Sequence, residues 1–276
     1  MKKLLLGIAG ALFLSTTLFA QKSKPAFEIS VSLGWNFGSY KETTFANISQ
    51  DFLAPRFQLD TKIYSCNFMH KITLDYFMAK PESAMTTTSV VYKNFDPVSG
   101  ETYYEGFKSS LQFHRIRVQY DLNYAVMKNE KLEFYTGASF ATNAYLQFEN
   151  YPSITGLFSL GPSAAMNYKL DERNSISVYG SLPLLGFGVR PPYAGCDAEL
   201  MKDAEEDFMK IFTLGKFLSL HNYQSIVLGA DYKIRAGKNF SLGVGADFEY
   251  SRIAVPKERP LYFVDGNFKT FGVINF

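Results

Sequence analysis

Cysteine, histidine and tryptophan are scarce in this chain of 276 residues, which has two, three and one of them. Cys66 and Cys196 allow at most one disulfide, and their spacing matches no metal-binding pattern. Three histidines are too few to supply a metal centre, and we expect neither a metal nor another cofactor. Charge of one sign is also lacking, with 28 Lys and Arg against 26 Asp and Glu. A nucleic-acid partner normally calls for a basic excess or patch, so none is expected. After residue 20 no run of 18 apolar residues occurs, which excludes a membrane-spanning helix there.

What is present begins with a leader. Lys2 and Lys3 form a positive start, Leu4 to Leu14 an apolar run, and Ser15 to Ala20 a small-residue exit. This is the order of a secretory signal peptide, here over residues 1–20 with cleavage after Ala20. Leu18 departs from the usual small residue three positions before the cut. No cysteine follows the cut, so no lipoprotein anchor is expected. Removing two lysines leaves 26 basic and 26 acidic residues, a formally neutral mature chain of one domain over 21–276.

Aromatic residues make up 16% of the chain, with 26 Phe and 18 Tyr, and they fall on a period of two. Phe27, Ile29, Val31, Leu33, Trp35 and Phe37 alternate with Glu28, Ser30, Ser32, Gly34, Asn36 and Gly38. A strand sends successive side chains to opposite faces, so one face is apolar and the other small or polar. Ile116, Val118, Tyr120, Leu122, Tyr124 and Val126 repeat the pattern against Arg115, Arg117, Gln119, Asp121 and Asn123. It returns over 132–148, 156–170, 175–187, 221–235 and 240–251.

The connections are sorted by length. Lys128–Lys131, Asp171–Asn174 and Gly237–Asn239 are tight and polar, while 39–55, 81–108, 149–155, 188–220 and 253–266 are long. Apolar strand faces without a helical core, joined by short turns at one end and long loops at the other, predict an all-β, transmembrane, antiparallel up-and-down barrel. Ten strands are expected, near 26–38, 56–67, 70–80, 109–127, 132–148, 156–170, 175–187, 221–235, 240–251 and 267–276. Strand-like pieces at Thr86–Tyr92 and Tyr103–Phe107 read as an external hairpin; if they lie in the wall, the count is twelve.

The chain closes on Phe268-Lys269-Thr270-Phe271-Gly272-Val273-Ile274-Asn275-Phe276. An alternating last strand ending in Phe resembles the C-terminal assembly signal of Gram-negative outer-membrane β-barrel proteins. With the leader and the alternation, the chain resembles that class. The resemblance implies an outer-membrane address, both termini in the periplasm, contact with membrane lipid, and recognition of Phe276 by the barrel-assembly machinery.

Three constellations could carry function. Glu28, Asp60, Arg115, Arg117, Asp121, Glu133, Asp231, Lys233, Arg235, Asp247 and Glu249 share the polar face and should point into the lumen. A ten-strand barrel is narrow enough for side chains to fill, so mutual ion pairing is the first expectation and a solute path the second. Within the loop 188–220, Leu200, Ala204, Phe208 and Ile211 fall at helical spacing, predicting a helix that packs on the rim or receives an envelope partner. Barrel enzymes of the phospholipase and lipid A deacylase kind pair a His with a Ser two residues on, so that imidazole activates the hydroxyl. Here His70, His114 and His221 are followed at that spacing by Ile72, Ile116 and Tyr223. His114 and His221 remain the weak catalytic candidates. Omptin-type proteases need an Asp–His pair with further rim aspartates, and no Asp-x-His occurs. The sequence therefore predicts a non-enzymatic barrel, either a narrow porin-like channel or a scaffold subunit of an envelope assembly. A barrel-embedded lipid hydrolase or protease, or a surface receptor or adhesin working through long loops, is the alternative.

Overall fold

The computed structural model describes residues 26–42, 49–80, 90–95, 102–107, 112–148, 153–190, 215–255 and 257–276. The expected signal peptide at 1–20 and the loop face of Leu200, Ala204, Phe208 and Ile211 lie outside them. Fourteen strands follow in order: β1 (Ala26–Glu42), β2 (Gln50–Ser65), β3 (Phe68–Ala79), β4 (Val90–Phe95), β5 (Thr102–Phe107), β6 (Gln112–Lys128) and β7 (Leu132–Phe148). Then come β8 (Ser153–Lys169), β9 (Asn174–Ser181), β10 (Leu185–Val189), β11 (Lys216–Ser219), β12 (Tyr223–Arg235), β13 (Phe240–Ile253) and β14 (Leu261–Asn275).

Twelve of these strands form one closed antiparallel sheet, in which β14 pairs with both β13 and β1. β9 and β10 are two halves of one stave, as are β11 and β12, so the wall has ten staves. β4 and β5 pair with each other in a separate two-stranded sheet, which settles the count at ten. Ala26, where the described residues begin, the closing Phe276 and the tight turns share one end, here the turn end; the strand ends that lead into the longer connections share the other, the loop end. The β2–β3 connection is the two-residue turn Cys66–Asn67, with Cys66 at φ 52°, a left-handed geometry that suits tight hairpins.

The staves tilt. Paired residues lead from Gly186 through Ser159, Ala141, Gln119, Thr73, Asp60, Ser30, Val273, Ser241 and Arg235. The Arg235 N–H then donates to the Arg173 carbonyl, on the starting stave but well below Gly186. Such a stagger is what closing a sheet into a barrel demands.

One seam interrupts the wall. At Leu182–Leu184 the stave leaves β12 but keeps β8, through Leu182 N–H to Pro162 O and Leu184 N–H to Leu160 O, both 3.0 Å. Beyond it β10 pairs with β11, and the turn at Leu220–Asn222 joins β11 to β12. Pro183 has no N–H to offer, which suits a point where a ladder is given up.

The molecule is inverted relative to a soluble protein. Leu33, Trp35, Leu53 and Phe268 are 60–68% exposed on the outer wall. Arg115, Asp75, Asn36 and Asp265 are at most 1% exposed inside. The polar face predicted from alternation is the inner one, and the apolar face is the outer surface.

Candidate functional site: the filled lumen

The lumen is layered. Nearest the loop end, inward positions turn apolar: Phe52, Phe77, Phe113 and Phe263 come from four different staves and are at most 6% exposed. Their ring centroids lie 5.5–6.3 Å apart in every pairwise combination, within the range of favourable aromatic packing. Tyr40, Tyr145, Tyr223, Leu157, Leu218, Ile253 and Leu261 complete the layer. Such a cluster is a hydrophobic core in miniature, set across the bore.

Directly beneath it lie Arg56, Arg115 and Arg117 with Asp75, Glu249 and Asp265. Arg115 is wholly buried and reaches Glu249, Asp265 at 3.4 Å and Asp75 at 3.7 Å, while its guanidinium carbon sits 5.0 Å from the Phe263 ring centroid. Arg56 holds Asp75 through two hydrogen bonds, and Arg117 donates to Glu249 at 2.8 Å. Three guanidinium groups thus face three carboxylates in a water-poor space, where each charge depends on the others.

A middle layer joins Lys269 to Asp247 at 3.0 Å and Asp231 at 3.4 Å, and Lys71 to Asp60 at 3.6 Å. Tyr179 ties the two lysines together: Lys71 lies 4.0 Å above its ring, and Lys269 donates to its hydroxyl at 2.8 Å. Asp121 accepts from Gln119 at 2.7 Å, which in turn accepts from Arg117. Nearest the turn end Glu28 is held between Lys62 at 3.3 Å and Lys233 at 3.2 Å, while Glu133 accepts from the Tyr135 hydroxyl at 3.0 Å. The cavity left within this ladder, lined among others by Arg56, Asp75, Arg117 and Asp247, holds about 40 Å³.

Of the residues expected in the lumen, Glu28, Asp60, Arg115, Arg117, Asp231, Lys233, Asp247 and Glu249 form ion pairs there. Asp121 and Glu133 enter through neutral partners. Arg235 is exposed at the turn end and belongs to no ion pair of the described residues. Sequence reasoning missed Arg56, Lys62, Lys71, Asp75, Asp265 and Lys269. A signal existed for Lys71 and Asp75, which alternate with the recognised apolar residues Ile72, Leu74 and Tyr76.

The histidines stand on the outer wall. His114 Nδ1 lies 3.0 Å from the Tyr76 hydroxyl, and His70 Nδ1 lies 2.8 Å from that of Tyr120. His221 borders an apolar groove with Leu160, Leu184 and Leu220 beside the seam. Phe276 packs on Phe27, ring centroids 5.7 Å apart, and its N–H donates to the Phe27 carbonyl at 2.9 Å, fastening the last strand to the first.

No family model and no curated protein matches the chain. Among solved structures it is similar to the outer membrane protease OmpT from Escherichia coli, with a TM-score of 0.57 and 6% identity over 93% of this chain and 99% of that one. A neisserial surface protein, NspA, gives a TM-score of 0.38 at 9% identity over 92% and 100% of the two chains. An outer membrane channel from Pseudomonas putida F1 gives 0.40 at 8% identity over 93% and 97%. At such identities the likeness concerns fold alone, and the fold is that of a ten-strand outer-membrane β-barrel.

Proposed function

We propose that this protein resides in the outer membrane with both termini in the periplasm, and that it acts as a closed-bore scaffold of an envelope assembly. Its lipid contact is the apolar outer wall, and Phe276 at the closing strand is where the assembly machinery would engage it. The observation that carries the reading is the filled lumen. A solute path requires a continuous aqueous bore, whereas here an aromatic layer lies across a ladder of paired charges. The cavity of about 40 Å³ within the charge ladder suits a few waters and no hydrated solute. The narrow-channel reading therefore yields to the scaffold reading. The enzyme alternative gains nothing from His114, whose Nδ1 is engaged by Tyr76 on the lipid-facing wall.

Planar-bilayer recording of the pure, folded protein tests the closed bore. No conductance steps are expected, and reproducible steps would restore the channel. Cross-linking in the cell followed by purification tests the scaffold role. We expect a defined envelope partner that is lost when residues 191–214 are deleted; an unchanged set of co-purifying proteins sinks that role for the loop.

A further inference from the structure

The lumen opens at the turn end into a bowl of about 570 Å³ whose wall is cationic. Lys169 and Arg173 reach it from the end of β8 and the turn after it, Lys233 and Arg235 from the end of β12, and Lys238 from the next turn. Lys233 is engaged by Glu28 deeper in the lumen, at 3.2 Å. None of the ion pairs among the described residues involves Lys169, Arg173, Arg235 or Lys238.

Two acids border the same bowl, Asp171 and Glu172. Asp171 is fixed in its own turn: it accepts from Asn174 Nδ2 at 2.8 Å and from the N–H groups of Arg173 at 2.7 Å and Asn174 at 2.8 Å. Those hydrogen bonds, the Asn174 side chain first, hold its carboxyl below the usual carboxylate range. Asp171 and Glu172 both keep their charge, so two carboxylates of the bowl wall oppose four cations that have no ion pair among the described residues, and the wall retains an excess of positive charge.

A concave surface lined by charge of one sign concentrates opposite charge from solution. The cations are spread along two neighbouring hairpin ends, Lys169 and Arg173 at β8–β9 and Lys233, Arg235 and Lys238 at β12–β13, a row that fits carboxylates spread along a chain better than one compact phosphate. We propose that this bowl is a docking site for an acidic peptide segment of a periplasmic partner protein. The proposal rests on the scaffold reading and on its orientation, since the bowl then faces the periplasm.

The test uses the full mature protein in detergent micelles and a short fluorescent oligo-glutamate peptide, followed by anisotropy. Binding is expected at low salt and should weaken as salt approaches physiological strength, where screening acts over about 8 Å. Reversing three charges, Arg173→Glu, Arg235→Glu and Lys238→Glu together, should weaken it by about tenfold or more, because charge reversal replaces attraction with repulsion. Reversing Lys80 and Lys216, exposed at the loop end, should leave it unchanged. Heat-modifiable gel migration verifies that each variant is folded, and a single-charge series (Arg235→Gln, then Lys238→Gln) replaces the triple variant if it fails to fold. Equal loss in the loop-end control, absence of binding at low salt, or tighter binding of inorganic tripolyphosphate than of the peptide would overturn the assignment. Conductance is untouched by any of these outcomes, so failure here is separable from failure of the closed bore.

Discussion

Arg115 shows what single residues do in this barrel. It is fully buried, its partners Glu249, Asp265 and Asp75 arrive from three other staves, and Phe263 covers it. Replacing Arg115 by Met would leave carboxylates buried without their cation, a loss of about 3–5 kcal/mol by analogy with broken buried pairs. We expect the Arg115→Met variant to unfold at distinctly lower urea than the parent in lipid vesicles, with Glu249→Gln added to it restoring part of the loss. An unchanged midpoint would mean that the network contributes little. Much of this site was legible. Glu28, Arg117, Asp247 and their kind sit opposite aromatic or branched residues, so period two alone assigns them inward. Asp265 was not legible, because its neighbours Phe263 and Leu261 also face inward and the expected polarity is reversed around it.

That reversal explains the errors at the level of strands. The period-two pattern matches β7 at its observed bounds, and β6 to within three residues, because their middle portions are apolar outside and charged or polar inside. β2 and β14 extend six residues beyond the expected starts, through Phe52, Ala54, Leu261 and Phe263. There the lumen itself is apolar, so inward and outward residues no longer differ in polarity and the strand reads as loop. The stave expected over 175–187 is broken at Leu182–Leu184, where the N–H of Leu184 still reaches β8. Gly161 permits this: a Cβ there would fall 2.6 Å from the Pro183 Cα and also against the Leu182 carbonyl. Backbone cannot yield as a side-chain tip can. Gly161→Val should therefore force β8 away from the seam and cost several kcal/mol, about 2–4 by the usual scale of severe packing changes. Its folded fraction after refolding into micelles should fall well below that of Ala138→Val, which alters the outward face beside it. Equal yields would show the close approach to be dispensable.

For the molecule as a whole, the ladder closes on itself and most of the lumen charge is paired, so the barrel should resist detergent until heated. Unboiled protein should run faster than boiled protein on a denaturing gel, and a single band under both conditions would contradict a closed barrel. Closure also depends on the seam. Pro183 and Gly186 both face inward although three residues apart, and Leu218 and Tyr223 both face inward although five apart. Each stave thus carries an odd step, which alone would turn every later side chain to the wrong surface. Placed side by side, the two odd steps cancel. The register sums of the paired residues differ by an even number across the seam: 408 for Ser181 with Val227 and 404 for Leu185 with Ser219. Inward residues therefore stay opposite inward residues between these two staves, while β8 meets its neighbour's odd step with a one-residue change of register, from a sum of 344 for Ser163 with Ser181 to 345 for Leu160 with Leu185.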